Sequence, residues 1–240
     1  MSVNIRKHIP NFITCLSLLS GCVAVVAASD GRLYMATLWI IAAAVFDFLD
    51  GLSARLLHAY SAIGKELDSL SDMVGFGVAP GMIVFYLLRE ASPSLPLGET
   101  ANALAPFVAF VIPVLSGLRL AKFNIDLRQT TSFLGLPVPA HALLWSSLSC
   151  NLQAFVHTDE TLFAALLALS VVLTSWLLVS EIPMFSLKMQ SMKWKGNEIR
   201  YLFVAGSAGF VVFYGLLGIA AAVVLYIILS ILTTVCSNSK

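Results

Sequence analysis

Carboxylate side chains are concentrated in one short part of this chain. Five of its 13 acidic residues fall between positions 47 and 72, although the flanking segments are strongly apolar. Asp47 and Asp50 are three residues apart and Asp68 and Asp72 are four apart, so each pair lies on one face of a helix. Oxygen ligands from two neighbouring helices are a donor set that suits Mg²⁺ or Mn²⁺. The spacing predicts a divalent metal site, and a solvated acidic helix face is the structural alternative.

The residues between the two acidic pairs suit a phosphorylated ligand. Gly51, Ala54 and Gly64 carry little or no side chain, which leaves room for a large group close to the backbone. Arg55 offers a planar guanidinium that matches phosphate oxygens. Together these residue types indicate a metal–diphosphate substrate, because a metal neutralises the diphosphate and polarises the phosphoryl group under attack.

The elements that must position these residues are membrane helices. Hydrophobic residues make up 59% of the 240 residues and charged residues only 11%, against about a quarter in soluble domains. The net charge of +1 excludes a basic surface for nucleic acid. Apolar runs of the length needed to cross a bilayer occupy residues 11–29, 33–50, 67–89, 103–121, 137–156, 161–180 and 202–233.

The last apolar run is too long for one ordinary span. Its 32 residues would form a helix of roughly 48 Å, against a hydrocarbon core of about 30 Å. Division near Tyr214-Gly215 gives two helices joined by a tight turn. The predicted fold class is therefore all-α, a polytopic membrane helical bundle with about eight transmembrane helices, seven being the alternative. We expect one integral membrane domain over 1–240, with a core over about 11–180 and an additional C-terminal helical pair over about 201–235.

Basic residues predict the orientation of the bundle. With the N-terminus in the cytoplasm and eight spans, only Arg32 and Arg89 of the 14 Lys and Arg residues fall outside. Seven spans would move only Lys240, so the charges do not decide between the two counts. Arg6-Lys7 and the apolar run that follows could mimic a secretory signal peptide, but the length of that run and the later membrane segments favour a retained helix. The acidic pairs then lie at the cytoplasmic ends of the second and third helices.

The acidic segment resembles the complete signature of the CDP-alcohol phosphatidyltransferases. The pattern is Asp47-x2-Asp50-Gly51-x2-Ala54-Arg55-x8-Gly64-x3-Asp68-x3-Asp72, which is eight fixed positions over 26 residues. The resemblance implies a CDP-alcohol phosphotransferase-like fold, metal binding by the four aspartates, and a second role for Asp72 as general base. It also implies that Gly51, Ala54, Arg55 and Gly64 shape the CDP pocket. A homodimer and a bacterial cytoplasmic membrane are expected from the resemblance alone.

Other segments bear on the acceptor alcohol. Arg119, Lys122 and Asn124 lie in Arg-Leu-Ala-Lys-Phe-Asn, which together with residues 75–80 and 133–140 resembles the phosphatidylserine synthase branch of the family. That branch usually has Arg and Ser where this chain has Lys122 and Gly75, and Lys keeps the charge but loses bidentate geometry. If the family resemblance is set aside, Arg119 and Lys122 could bind any anion or simply flank a membrane helix on its cytoplasmic side.

The start of the first helix adds two candidate ligands for the nucleotide. Asn11 and Thr14 are about one turn apart and could contact it. A helix cap is the alternative role for Asn11.

These observations predict an integral membrane enzyme that joins CDP-diacylglycerol to L-serine, giving phosphatidylserine and CMP, among membrane lipids. In this hypothesis Asp72 removes the proton of the serine hydroxyl, while Arg119, Lys122 and Asn124 bind serine or a lipid phosphate. Glycerol 3-phosphate or inositol 1-phosphate are the alternative acceptors for the same chemistry. From a different class, a membrane ion transporter could use the carboxylate cluster, but it predicts acids spread through the bilayer depth, and helices four to eight contain almost none.

Overall fold

The protein is a bundle of long α-helices. The computed structural model describes residues 8–126, 133–184 and 197–238. The helices are numbered here in chain order: α1 Ile9–Ser29, α2 Leu33–Leu56, α3 Ala62–Ser94, α4 Glu99–Ile125, α5 Val138–Leu152, α6 Glu160–Val179, α7 Glu198–Tyr214 and α8 Leu216–Asn238. A 3₁₀ turn over Gln153–Phe155 extends α5. Two strands of two residues each, Phe133–Leu134 and Pro183–Met184, pair antiparallel beside the bundle.

Six of these helices are long and apolar enough to cross a membrane, namely α1, α2, α3, α4, α6 and α8. The other two, α5 with 15 residues and α7 with 17, are shorter than the roughly 20 residues of an ordinary span. The prediction of an all-α polytopic membrane protein is confirmed. How many helices cross the bilayer stays a prediction. Arg6, Lys7 and Lys240 lie outside the described residues.

The last apolar run divides where the sequence predicts. α7 ends at Tyr214 and α8 begins at Leu216. Gly215 between them has φ 57°, a conformation in which glycine avoids the steric cost of a side chain. A Cβ at this position would meet no atom within 4 Å, so the backbone conformation, and not crowding, favours glycine in the turn.

The two helices that carry the acidic residues extend beyond their apolar runs. α2 continues to Leu56 and α3 begins at Ala62, whereas the apolar runs end at residue 50 and begin at residue 67. Backbone hydrogen bonding continues past the apolar segment, and Ser61 caps α3 by accepting a hydrogen bond from the Gly64 amide at 3.0 Å. Asp50 and Asp68 therefore sit on regular helix instead of at frayed ends.

α1 holds α2 and α3 together next to the acidic residues. Ser17 Oγ donates to the Ala43 carbonyl of α2 at 2.9 Å. A Cβ added to Gly21 would lie 2.8 Å from the Cα of Gly75, so α1 and α3 are in backbone contact there. Gly75 belongs to a π-helical segment, Met73–Val78, that follows Asp72 directly. Such segments interrupt α-helices often at functional sites.

The interior and the outer surface of the bundle differ in the way expected for a membrane protein. Inside, Ile40, Phe76 and Ile83 are fully buried, and a buried hydroxyl such as Thr37 Oγ1 donates to a carbonyl, that of Ser146, at 2.7 Å. Outside, large apolar side chains such as Phe213 are exposed. An outer surface of this kind is suited to contact with lipid instead of water.

Candidate active site

Three carboxylates converge between α2 and α3. Each of Asp47, Asp50 and Asp68 contributes one carboxylate oxygen to a group of three. These three oxygens lie within 4.8 Å of one another. Asp50 is buried, whereas Asp47 and Asp68 are half-buried. The three-residue spacing puts the first two on one face of α2, and the approach of α3 brings Asp68 opposite them. Three oxygens at this separation could hold a metal ion.

Asp72 lies on the next turn of α3. Its charge interacts with those of Asp47, Asp50 and Asp68, and also with the guanidinium of Arg119. One oxygen, Oδ1, is buried without a hydrogen-bond partner. Asp72 is therefore next to the group of three carboxylates but is not part of it, and its charge interacts with that of a cation on α4.

The negative charge of this cluster is not balanced by salt bridges within the described parts of the chain. Two ion pairs of the described residues, Arg32–Asp30 and His157–Glu160, lie elsewhere, and none of the four aspartates forms one there. Oδ2 of Asp50, like Oδ1 of Asp72, is buried without a partner. Two like charges about 4 Å apart repel by about 4 kcal/mol at an effective dielectric constant of about 20. A divalent cation would relieve this repulsion and satisfy the buried oxygens, so the donor set fits a hard metal ion.

A cavity of about 630 Å³ opens beside the carboxylates, between the start of α1, the end of α2 and the start of α3. Asp50 and Asp68 form part of its wall. The structure brings all six residues predicted to contact the nucleotide into the same wall: Asn11, Thr14, Gly51, Ala54, Arg55 and Gly64. Its volume is in the range of small-molecule sites, about 300–1,000 Å³.

The two signature glycines in this wall have different roles. A Cβ on Gly51 would meet only Arg55 Nη2, at 3.9 Å, so the space beside Gly51 is open to a ligand. A Cβ on Gly64 would lie 2.8 Å from Asn11 Oδ1 and 2.9 Å from Ser61 Oγ. Gly64 therefore lets α1 and the capping serine approach α3, a packing role within the protein that the spacing of the signature does not reveal.

Two cations line this cavity. The exposed Arg55 is held against the end of α2, where its Nε donates to the Gly51 carbonyl at 2.9 Å. Lys65 Nζ donates to the Asn124 carbonyl at 3.4 Å. Both positive charges are available to a phosphate, since neither forms a salt bridge within the described residues.

Sequence reasoning missed part of the wall. Tyr60, Ser61, Lys65 and Phe123 also line the cavity. The position of Lys65 directly after Gly64 is a signal that could have identified it. Phe123 comes from α4, and nothing in its local sequence indicates that it reaches the site.

A second cavity, of about 330 Å³, contains the predicted acceptor residues Arg119 and Lys122. Two acids, Asp126 and Glu181, line it as well. Arg119 is 7% exposed and its Nε is buried without a partner. Its charge also interacts with that of Asp72, so the second cavity lies within electrostatic range of the carboxylates.

Asn124, the third predicted acceptor residue, lies outside the lining of both cavities. Its Nδ2 donates to Ser69 Oγ at 2.9 Å, and its carbonyl accepts from Lys65. These bonds tie the end of α4 to α3. The structure therefore separates the predicted trio into two cavity residues and one that positions a helix.

A family model and several named relatives match this chain. Residues 7–183 match the CDP-alcohol phosphatidyltransferase family. A Bacillus subtilis protein named CDP-diacylglycerol–serine O-phosphatidyltransferase is 31% identical over 176 residues, which cover 73% of this chain and 89% of that protein. Proteins of the same name from Helicobacter pylori and Mycobacterium leprae are 34% identical over 146 residues and 36% identical over 185 residues, covering 60% and 73% of this chain. The match covers only 58% and 57% of those two relatives.

Proposed function

The chain belongs to the CDP-alcohol phosphatidyltransferase family, and we propose that it transfers the phosphatidyl group of CDP-diacylglycerol to the hydroxyl of L-serine, giving phosphatidylserine and CMP. The observation that carries the proposal is the convergence of Asp47, Asp50 and Asp68 within 4.8 Å, beside a cavity lined by the small residues of the signature. The names of the relatives support serine as the acceptor. In this proposal the family core spans about residues 11–180, and the helical pair over about 201–235 is an addition to it.

Asp47, Asp50, Asp68 and Asp72 would hold Mg²⁺ or Mn²⁺. The buried, unpartnered oxygens of Asp50 and Asp72 support this assignment, because a hard cation is their natural partner. When bound, the ion neutralises the diphosphate and polarises the phosphoryl oxygens.

The 630 Å³ cavity would receive the cytidine diphosphate portion of the substrate. Gly51 and Ala54 leave room for it beside α2, and Asn11 and Thr14 offer polar groups from α1. Arg55 and Lys65 supply positive charge to the diphosphate, and this charge also stabilises the departing CMP. Gly64 acts indirectly, by allowing α1 to pack close to α3.

Asp72 would act as general base. It takes the proton of the serine hydroxyl as the serine oxygen forms a bond to the phosphorus that carries diacylglycerol. The bond from that phosphorus to the oxygen bridging toward cytidine breaks, and CMP leaves with the bonding electrons. Arg119, whose charge interacts with that of Asp72, would hold the acceptor close to the base.

The second cavity supports serine over a phosphorylated acceptor. Its wall pairs two cations, Arg119 and Lys122, with two acids, Asp126 and Glu181. Serine carries one carboxylate and one ammonium group, so a wall of mixed charge is complementary to it. Glycerol 3-phosphate and inositol 1-phosphate carry only negative charge, and the two acids would disfavour them.

The orientation and assembly of the protein are part of the same proposal. The distribution of basic residues supports a site and an N-terminus that face the cytoplasm, in a bacterial cytoplasmic membrane. A homodimer is proposed from the family resemblance. The orientation is tested by replacing Lys65 with cysteine and labelling that cysteine with a membrane-impermeant reagent. The dimer is tested by measuring the mass of the protein in detergent by light scattering.

An acceptor panel tests the proposed function. Purified protein in lipid nanodiscs is given CDP-diacylglycerol with radiolabelled serine, glycerol 3-phosphate or inositol 1-phosphate in separate reactions. We expect lipid product with serine only, complete loss of product in a metal chelator, and recovery when Mg²⁺ or Mn²⁺ is added in excess. Product with a phosphorylated acceptor instead would contradict serine as the acceptor, and turnover that survives chelation would contradict the metal site.

A further inference from the structure

A third cavity lies where the C-terminal helical pair packs on α5. It has a volume of about 410 Å³ and is lined almost entirely by apolar side chains. The wall includes residues between 137 and 143, at and directly before the start of α5, and residues between 219 and 226 of α8. At about 1.5 Å per residue, each stretch is roughly 10 Å long. The cavity therefore follows the helix axes, as an extended hydrocarbon chain in a bilayer does.

Tyr226 relates one end of this cavity to Arg119. It lines the cavity and is 7% exposed, with its ring 5.8 Å from that of Phe203. It belongs to the buried hydrophobic cluster that extends through the bundle. The phenol of Tyr226 and the guanidinium of Arg119 interact electrostatically, and Arg119 interacts in turn with Asp72.

A polar group inside the apolar wall indicates what kind of chain would bind. Ser207 lines the cavity, and its Oγ is buried without a hydrogen-bond partner in the described part of the chain. Serine hydroxyls in helices commonly donate to a carbonyl one turn earlier, and this one does not. It is free to donate to an ester carbonyl, the polar group that joins an acyl chain to glycerol.

We propose that this cavity binds one acyl chain of CDP-diacylglycerol while the diphosphate of the same molecule lies at the carboxylate cluster. The inference rests on the proposed function and adds to it a binding site formed largely by α7 and α8, which lie beyond the family match that ends at residue 183. The apolar walls match the hydrocarbon chain, and the junction at Tyr226 and Arg119 sets the chain next to the reacting phosphate.

Photo-crosslinking tests where the chain lies. CDP-diacylglycerol with a diazirine in the middle of one acyl chain is added to the full-length protein in nanodiscs, and labelled peptides are mapped by mass spectrometry. We expect labelling at Leu143, Phe203 and Val223, reduced by excess unlabelled CDP-diacylglycerol but not by the same amount of phosphatidylglycerol. Labelling spread over the exposed face of α6, or equal competition by both lipids, would overturn the proposal in favour of ordinary bilayer lipid. Serine turnover by the same sample tests the proposed function separately, since labelling does not require catalysis.

A pair of tryptophan substitutions tests whether the cavity contributes to substrate binding. Ala222 lines the cavity, whereas Val224, two residues on, is 46% exposed outside that lining. We expect Ala222→Trp to raise the KM for dipalmitoyl CDP-diacylglycerol about tenfold, the effect of losing burial for about two methylene groups. The KM for the dihexanoyl substrate stays within about twofold, because its chains are too short to fill the cavity. Val224→Trp is the control and should change neither value.

Equal losses with both chain lengths in Ala222→Trp, or the same loss in Val224→Trp, would overturn the proposal. Thermal unfolding of both variants is measured alongside. If Ala222→Trp does not fold, Ser207→Ala provides a gentler change at the same wall. We expect it to raise the KM about threefold for both substrates, because both carry the ester carbonyl, and an unchanged KM for both would overturn the proposal.

Discussion

The two polar cavities of this protein are built from very different stretches of chain. The wall of the 630 Å³ cavity, the proposed nucleotide cavity, comes from residues 10–68, with Phe123 as the exception. The second cavity combines the end of α4, including Arg119 and Lys122, with residues 178–181 at the end of α6. The part proposed to hold the activated donor is thus nearly local in sequence, whereas the part proposed to hold the acceptor is assembled from segments far apart in the chain.

The charges of the two cavities differ as well. The carboxylates that converge beside the first one repel each other and have no salt-bridge partner among the described residues. In the second, two cations and two acids line the same wall. Under the proposed function, the first site requires a cation before it can bind a diphosphate, while the second would bind a zwitterion with the protein's own charges.

The largest effect is expected from the carboxylates. Asp72→Asn should lower the turnover of serine by about 10²–10⁴-fold, because the amide cannot accept the proton of the hydroxyl. The KM for CDP-diacylglycerol should rise by a smaller factor than turnover falls, because Asp72 is one of four proposed metal ligands but lies outside the lining of the 630 Å³ cavity. Initial rates with radiolabelled serine measure both values. Asp30→Asn, in an exposed ion pair with Arg32, is the control, and a loss of less than tenfold in Asp72→Asn would place the base elsewhere.

A smaller effect, on substrate binding, is expected from filling the open side of the nucleotide cavity. The leucine side chain of Gly51→Leu should not clash with the protein, because a Cβ at this position is 3.9 Å from the nearest atom, Arg55 Nη2. The protein should therefore fold, while the KM for CDP-diacylglycerol rises by about tenfold or more through direct steric exclusion. Gly209→Leu is the matched control, because that position on α7 is also open. An unchanged KM in Gly51→Leu would mean that the nucleotide binds elsewhere.

The mixed charge of the second cavity should be detectable as selectivity. Glu181→Gln removes one of its acids, and we expect the preference for serine over glycerol 3-phosphate to fall by about threefold, since an exposed charge is strongly screened. Competition assays with both acceptors at low ionic strength measure the ratio. Glu99→Gln, at the first residue of α4, should leave it unchanged. An increased preference for serine in Glu181→Gln would refute a role for this acid in binding the ammonium group.

The smallest effect on activity is expected at the contact between α1 and α3, where stability is the measured quantity. A Cβ on Gly21 would lie 2.8 Å from the Gly75 backbone, whereas a Cβ on Gly75 would lie 3.4 Å from the Ala43 side chain. Both changes to Ala gain similar helix propensity, about 1 kcal/mol. Gly21→Ala should be less stable than Gly75→Ala by about 1–3 kcal/mol in thermal unfolding, because the backbone cannot move aside. Equal stabilities would contradict the close contact.

Much of the fold is predictable because apolar length and helix geometry are local properties. The division at Gly215 follows from the excess length of the last apolar run. The true ends of α2 and α3 are not predictable in the same way, since the helices continue into polar sequence and stop where the chain turns, with Ser61 as the cap. Asn124 illustrates the same limit within the site, because its hydrogen bond to Ser69 depends on how α4 packs against α3.

The amino-acid sequence by itself determined the membrane bundle, the grouping of the aspartates in pairs and the set of small residues beside them, because a regular helix repeats every 3.6 residues and spacing alone decides which side chains share a face. Only the tertiary structure decided that Asp68 meets the pair on α2, that Gly64 accommodates Asn11, and that Tyr226 reaches the neighbourhood of Arg119. These relationships join separate helices, and their geometry depends on interhelical packing, which the periodicity of a single helix does not contain.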